Sequence, residues 1–231
     1  MNHLLSPAPR RETLGANVLS QIKQLLITGQ LMPGEHLSLR STAEALGVSV
    51  MPVREAVYQL VADQALEVAP NRSVRVPVLS AEQFHEITQI RLQIEGYAVE
   101  QAAPHIQPAL LASLRDLNTR LDKAMGAAGP GFAEAVLMNK ALHFDLYAAA
   151  GMPMLIKIIE SLWLRIGPIL NYDLRAGSER INERIAVGHH ARMLDALERG
   201  DAASAREALR QDIESAYAHI LAKQYTEQQA S

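Results

Sequence analysis

Between Leu66 and Val78 the apolar residues of this chain alternate, and from Ser80 onward they recur every three or four positions. The first period belongs to half-buried strands, the second to helices packed on one face. Leu66, Val68, Val74, Val76 and Val78 are interleaved with Glu67 and Arg75, and Asn71-Arg72-Ser73 stands between the two halves as a turn. A chain of 231 residues has room for two modest domains. The change of period places their boundary near residues 78–80. The expected layout is an arm at 1–11, a first domain at 12–78, an all-helical domain at 79–224 and a tail at 225–231.

Ahead of the hairpin the pattern is helical. Leu14, Val18, Ile22, Leu25 and Leu26 share one face, and Gly29 ends that helix. Pro33-Gly34 marks a turn. A short helix at 39–46 carries Ala43 and Leu46 inward and Arg40 near its start. Gly47 then supplies a tight turn. Ser49 is expected to cap the next helix through its hydroxyl. Pro52 is tolerated there because the first helical N–H groups have no partner within the helix. Val53, Ala56, Val57, Leu60 and Val61 form its apolar stripe, and Arg54 and Tyr58 fall on the opposite face with Val50 and Met51. Short helix, glycine turn, longer helix and strand pair together predict a winged helix-turn-helix. In that fold the second helix enters the major groove and the wing follows the backbone or minor groove. Arg54 is placed to read a base or hold phosphate, and Arg40 and Arg72 to hold phosphates.

Charge alone does not suggest DNA. The net charge is −3, with 7 Lys/Arg against 6 Asp/Glu in residues 1–78 and 15 against 19 in the remainder. The absence of cysteine excludes disulfides and thiolate metal sites and fits a cytoplasmic location. The most apolar later stretch, 152–170, is interrupted by Lys157, Glu160 and Arg165, so no membrane span is expected.

The second domain reads as six helices with short connections, which makes an antiparallel bundle. Ser80 with Gln83 is a capping box. Pro108 opens the second helix, glycines at 126–131 close it, and Gly151 and Pro153 stop the third. Gly167-Pro168 is expected to kink the fourth. The fifth is expected at 178–199, and Asp201 caps the sixth, expected to end near Lys223.

Several polar residues fall on apolar faces. Asn139 and His143 are one turn apart on the third bundle helix. His190 is in line with Leu194 and Leu197, and Asp212 with Ala205, Ala208, Leu209 and Ala216. Side chains of these types on three helices facing one core suit a nitrogen and oxygen metal site, although histidines on apolar faces are more often part of a hydrogen-bonded core network. His189, about 100° around the helix from His190, is read as exposed or beside the site. Arg91 lies on an otherwise apolar stripe. It is either a clamp for a ligand carboxylate or an ion pair, for instance with Glu95 one turn on.

Three segments carry a family resemblance. They are Gly29-Gln30-Leu31-Met32-Pro33-Gly34-Glu35-His36-Leu37-Ser38, then Ala43-Glu44-Ala45-Leu46-Gly47-Val48-Ser49, then Pro52-Val53-Arg54-Glu55-Ala56-Val57. In this order and spacing they resemble the N-terminal domain of GntR-family bacterial transcription regulators. The family usually has arginine at Val50, threonine at Met51 and glycine at Ser73. Residues 139–151 and 190–201 resemble the FCD effector domain of the FadR subfamily, in its six-helix, VanR-like form. That resemblance implies a homodimeric regulator, expected to be a repressor, that binds double-stranded operator DNA and responds to a small carboxylate. Its expected DNA-contact positions are Arg40, Ser49, Val50, Met51, Arg54, Asn71 and Arg72. Many FCD domains hold Zn²⁺ or Ni²⁺ through one Asp and three His. His143 and His190 stand at two of the His positions, Asn139 where Asp is usual, and Asp212 where the last His is usual. Two His and a carboxylate also match the ligands of facial-triad iron enzymes. The sequence supplies no general base or nucleophile beside them, and such an enzyme has no use for a DNA-binding domain.

Overall fold

The computed structural model describes residues 14–69, 73–125, 131–175 and 184–225. The first domain begins with α1 (Leu14–Ile27), followed by β1 (His36–Leu37), α2 (Leu39–Leu46), α3 (Val50–Ala62), β2 (Glu67–Val68) and β3 (Val74–Arg75). Val18, Ile22 and Leu26 of α1 pack against Val53, Val57 and Leu60 of α3, with Val74 and Val76 below them. Gly29 sits at φ +63°, and the next amide, Gln30 N–H, donates to Leu25 O at 2.9 Å. This left-handed stop closes α1 and turns the chain toward β1.

The sheet has three strands in the order β1-β3-β2, all antiparallel, with His36 opposite Arg75 and Glu67 opposite Arg75. The hairpin is where the alternation put it, but β1 has only two residues and no period to announce it. The burial pattern is shorter than the alternation suggests. Leu66, Val74 and Val76 are buried, whereas Val68 and Val78 are exposed. The paired segment is two residues long on each strand, so only its base rests on the core.

Ser49 occupies the N-cap position of α3 in an extended conformation, but its hydroxyl makes no capping bond, contrary to the sequence expectation. A cap hydroxyl bonds the N–H of the second or third helical residue. The third here is Pro52, which has no N–H.

The second domain contains α4 (Ala81–Ala102), α5 (Pro108–Met125), α6 (Gly131–Ala148), α7 (Pro153–Arg175), α8 (Ile185–Glu198) and α9 (Ala202–Ile220). The capping box forms as expected. Gln83 N–H donates to Ser80 Oγ at 3.2 Å, and Ser80 N–H to Gln83 Oε1 at 2.9 Å. Asp201 caps α9 by accepting from Ser204 N–H at 3.0 Å. α7 runs on through Pro168 to Arg175. The expected start of the fifth bundle helix lies outside the described residues, as do most of the loop glycines after α5. No helix among the described residues is long and apolar enough to cross a membrane.

The two domains meet where α1 lies on α7. Leu164 of α7 is 1% exposed and belongs to the core of the winged domain. Lys23 pairs with Glu160 at 3.4 Å, and Asn171 Nδ2 donates to Ile27 O. Gly29 has no room for a side chain, because a Cβ there would lie 2.5 Å from Asn171 Cβ. Gly47, at φ +64°, would meet nothing within 4 Å. Both substitutions to alanine carry a left-handed penalty of about 1–2 kcal/mol. Gly29→Ala alone adds overpacking, typically about 1–3 kcal/mol. Urea unfolding should therefore place Gly29→Ala well below Gly47→Ala in stability; equal losses would mean that α7 does not rest on the α1 terminus.

Candidate metal centre

Three side chains from three helices converge inside the second domain. His143 comes from α6, His190 from α8 and Asp212 from α9. His143 Nε2 lies 3.1 Å from His190 Nε2. Asp212 Oδ2 lies 3.5 Å from the first and 3.7 Å from the second. Both rings are buried, at 1% and 0% exposure.

The outer nitrogens fix what the inner ones are. Asn118 of α5 donates through Nδ2 to Val187 O at 3.1 Å, which leaves its Oδ1 toward His190 Nδ1, also at 3.1 Å. An amide oxygen only accepts, so His190 Nδ1 carries the hydrogen. Tyr147 donates its hydroxyl to Glu95 Oε2 at 2.7 Å. Burial, and then the charge of Glu95, raise the tyrosine pKa well above its ordinary value, so the phenol keeps that proton. Its oxygen is therefore the acceptor for His143 Nδ1–H at 3.1 Å. Each imidazole has committed its one hydrogen outward, and each Nε2 presents a lone pair inward.

Two lone pairs and a carboxylate oxygen facing one point repel unless a cation lies between them. A proton shared with Asp212 and a metal ion are the two candidates. Burial lowers the His143 pKa, and the nearby Asp212 carboxylate does not restore it. Burial would raise the Asp212 carboxyl, but the two histidines outweigh it and hold it well below its ordinary range. Nitrogen and oxygen ligands about 2.1 Å from an ion, at roughly 90–110° to one another, stand about 3.0–3.4 Å apart. The separations here are close to that. Two imidazoles with one carboxylate suit a divalent transition ion such as Zn²⁺ or Ni²⁺ and suit Mg²⁺ or Ca²⁺ poorly. Outward Nδ1–H bonds are also the usual support of metal-binding histidines.

Asn139 lies one turn before His143 on α6 and is half-buried; among the described residues no hydrogen bond joins it to the three. His189 is half-buried, with Nδ1 2.6 Å from an Arg192 amino group. Arg91 does not stand free as a ligand clamp. Its guanidinium pairs with Glu95, at 2.6 Å from Nε and 3.4 Å from Nη2, and lies 5.2 Å from the Trp163 ring. A buried guanidinium takes the carboxylate one turn away on its own helix, and Glu95 outweighs the burial that would lower its pKa. Glu95 also accepts from Trp163 Nε1 at 3.1 Å. Asn118 and Trp163 were not picked out from sequence. The visible signals were an amide within the Leu114, Leu117, Leu121 stripe and the only tryptophan of the chain.

On α3, Met51, Arg54 and Tyr58 are exposed, and Val50 is half-buried against the winged-domain core. Ser49 is exposed with its hydroxyl unused for capping. Arg40 is exposed and pairs with Glu44 at 3.1 Å. Asn71 and Arg72 lie outside the described residues.

Two family models match this chain. The bacterial regulatory proteins of the gntR family match residues 14–76, and the FCD domain matches residues 86–215. The chain is 35% identical over 215 residues to the HTH-type transcriptional regulator McbR of Escherichia coli, covering 92% of this chain and 95% of that one. The solved structure of E. coli McbR/YncC superposes with a TM-score of 0.85 at 34% identity, covering 92% and 99%. A probable D-xylose utilization operon transcriptional repressor of Paenarthrobacter nicotinovorans is 28% identical over 199 residues, covering 86% of this chain and 85% of that one.

The lowered His143 pKa carries a pH dependence. The unfolded ring takes up a proton as the pH falls below about 6.5, and the folded ring resists it. Stability is thus full above that window and declines as the pH falls through it, by at most about 1.4 kcal/mol per pH unit for one proton. His189, also lowered first by burial, acts in the same direction. Metal-free protein should be less stable to urea at pH 5.5 than at 7.5, and His143→Gln should remove part of the difference. An unchanged difference would place the titration elsewhere.

Proposed function

This chain belongs to the GntR family of bacterial regulatory proteins, with an FCD domain, and is a transcription regulator; we propose that it binds a palindromic operator as a homodimer and answers to a small carboxylate held on a divalent metal. The carrying observation is the inward convergence of two imidazole lone pairs and the Asp212 carboxylate. His143, His190 and Asp212 would hold the ion, with the Asn139 amide one turn away as a weaker fourth donor. A divalent ion offset by a single carboxylate leaves one positive charge, and Arg91 is already neutralised by Glu95. Such a site favours an anion that can enter the open coordination positions, and a carboxylate is the common small one. The ion would supply Lewis acidity and charge for binding; nothing in the arrangement calls for turnover.

On the DNA side, Arg54 is the guanidinium on the exposed face of α3, flanked by Met51 and Tyr58. Ser49, Val50 and Arg40 would lie at the edges of that contact, with Asn71 and Arg72 on the wing. The usual arginine at Val50 is replaced, so more of the major-groove reading falls to Arg54. A two-fold dimer would then require half-sites spaced by about one helical turn or a multiple of it. We read the protein as a cytoplasmic repressor that leaves its operator when the ligand turns the two winged domains relative to each other.

The test starts from operators selected out of random duplexes. The selected sites should be palindromic, and Arg54→Ala should weaken binding by roughly 1–3 kcal/mol at fixed salt. Sites without two-fold symmetry would exclude the dimeric reading. An unchanged affinity for Arg54→Ala would remove α3 from the interface.

A further inference from the structure

α7 carries two consecutive residues that belong to different cores. Trp163 is 5% exposed and packs in the bundle core, its ring 5.4 Å from that of His143. Leu164 is 1% exposed and packs in the core of the winged domain. Further along, Gly167 brings α7 against the end of α1. A Cβ on Gly167 would lie 3.0 Å from Ile27 Cα and 3.1 Å from Leu26 O, so the helices touch backbone to backbone there. Asn171 adds its hydrogen bond to Ile27 O. One side of α7 faces the candidate metal centre and the other supports the DNA-binding domain.

The link between the two sides is Glu95. Its Oε2 accepts from Tyr147, which in turn accepts from His143. Its Oε1 accepts from the Trp163 indole. Arg91 holds the carboxylate from its own helix, and Glu95 itself is fully buried. A carboxylate is a rigid plane, so a change in the direction of one oxygen is imposed on the other. The surroundings are close-packed and cannot absorb the movement as a void would.

We infer that Glu95 is a positioning residue that couples the donor nitrogen of His143 to α7, so that a cation at the triad alters how α7 holds the end of α1. The inference rests on the metal reading given above. An ion fixes the direction of His143 Nε2, and hence the geometry of Nδ1 on Tyr147. Tyr147 and Trp163 share Glu95, so the indole adjusts with the phenol. Leu164 follows Trp163 because the two are adjacent on one helix. The only way for the ion to shift this equilibrium is to bind one arrangement better than the other.

The experiment uses full-length protein with Zn²⁺ alone as the probe. Calorimetry gives the metal affinity, and hydrogen exchange read by mass spectrometry gives the protection of residues 22–31 at the end of α1. In the wild type, Zn²⁺ should bind and change exchange there. Tyr147→Phe removes the acceptor of His143 Nδ1–H and should raise the Zn²⁺ Kd by about 10–100-fold. Trp163→Phe keeps an aromatic ring but loses the N–H to Glu95. It should bind Zn²⁺ nearly as tightly as the wild type while the exchange response at 22–31 disappears. A merely structural role for Trp163 would not separate these two readouts. Zn²⁺ binding to the wild type with no change in α1 would overturn the coupling and leave the metal reading standing. A full response in Trp163→Phe would also overturn it. No Zn²⁺ binding to the wild type by calorimetry would remove the metal reading, and the coupling with it, before any exchange is read.

Discussion

Two imidazoles that have both given their hydrogen away cannot face each other at 3.1 Å beside a carboxylate without a positive charge between them. That constraint organises the second domain. Asn118 and Tyr147 hold the outer nitrogens, and Glu95 holds Tyr147. Arg91 is buried at 5% exposure only because Glu95 accompanies it. Removing one partner of such a pair costs about 3–5 kcal/mol, since the other is left charged in the core. The polar network is therefore a single object, and the apolar helices are arranged around it.

The same network explains why the two domains are not independent. A linker alone would let the winged domain swing. Here α7 is common property, because its Leu164 completes the core under α1 and α3 while its Trp163 completes the core around the histidines. Gly167 and Gly29 permit this, one by bringing backbone to backbone and the other by placing no Cβ against Asn171 at positive φ. Fixing α1 relative to the bundle fixes α3, whose exposed face carries Met51, Arg54 and Tyr58.

Much of this was legible in the sequence because it follows from period and local chemistry. The alternation around Asn71-Arg72-Ser73 located the hairpin, the Ser80 and Gln83 spacing located a helix start, and single polar residues on apolar stripes pointed to His143, His190 and Asp212. What was not legible depends on contacts distant in the chain. β1 is two residues long and is a strand only because Val74 and Arg75 pair with it. Asn118 matters because Val187, 69 residues away, accepts its amide and so fixes which atom faces His190. Ser49 has the residue type of a cap, yet Pro52 removes one of the two N–H groups that its hydroxyl could bond. Arg91 had two readings on one helix, and the burial of Glu95 at 0% decided between them.

The most direct test of the central constraint is the metal content of tag-free protein purified without chelator. The convergence of His143, His190 and Asp212 predicts about one Zn²⁺ or Ni²⁺ per chain, lost when either histidine is replaced by alanine. Less than a tenth of an equivalent, unchanged after incubation with divalent ions, would contradict it. The lone pairs would then be reconciled by a trapped proton, and the effector would be held by hydrogen bonds alone.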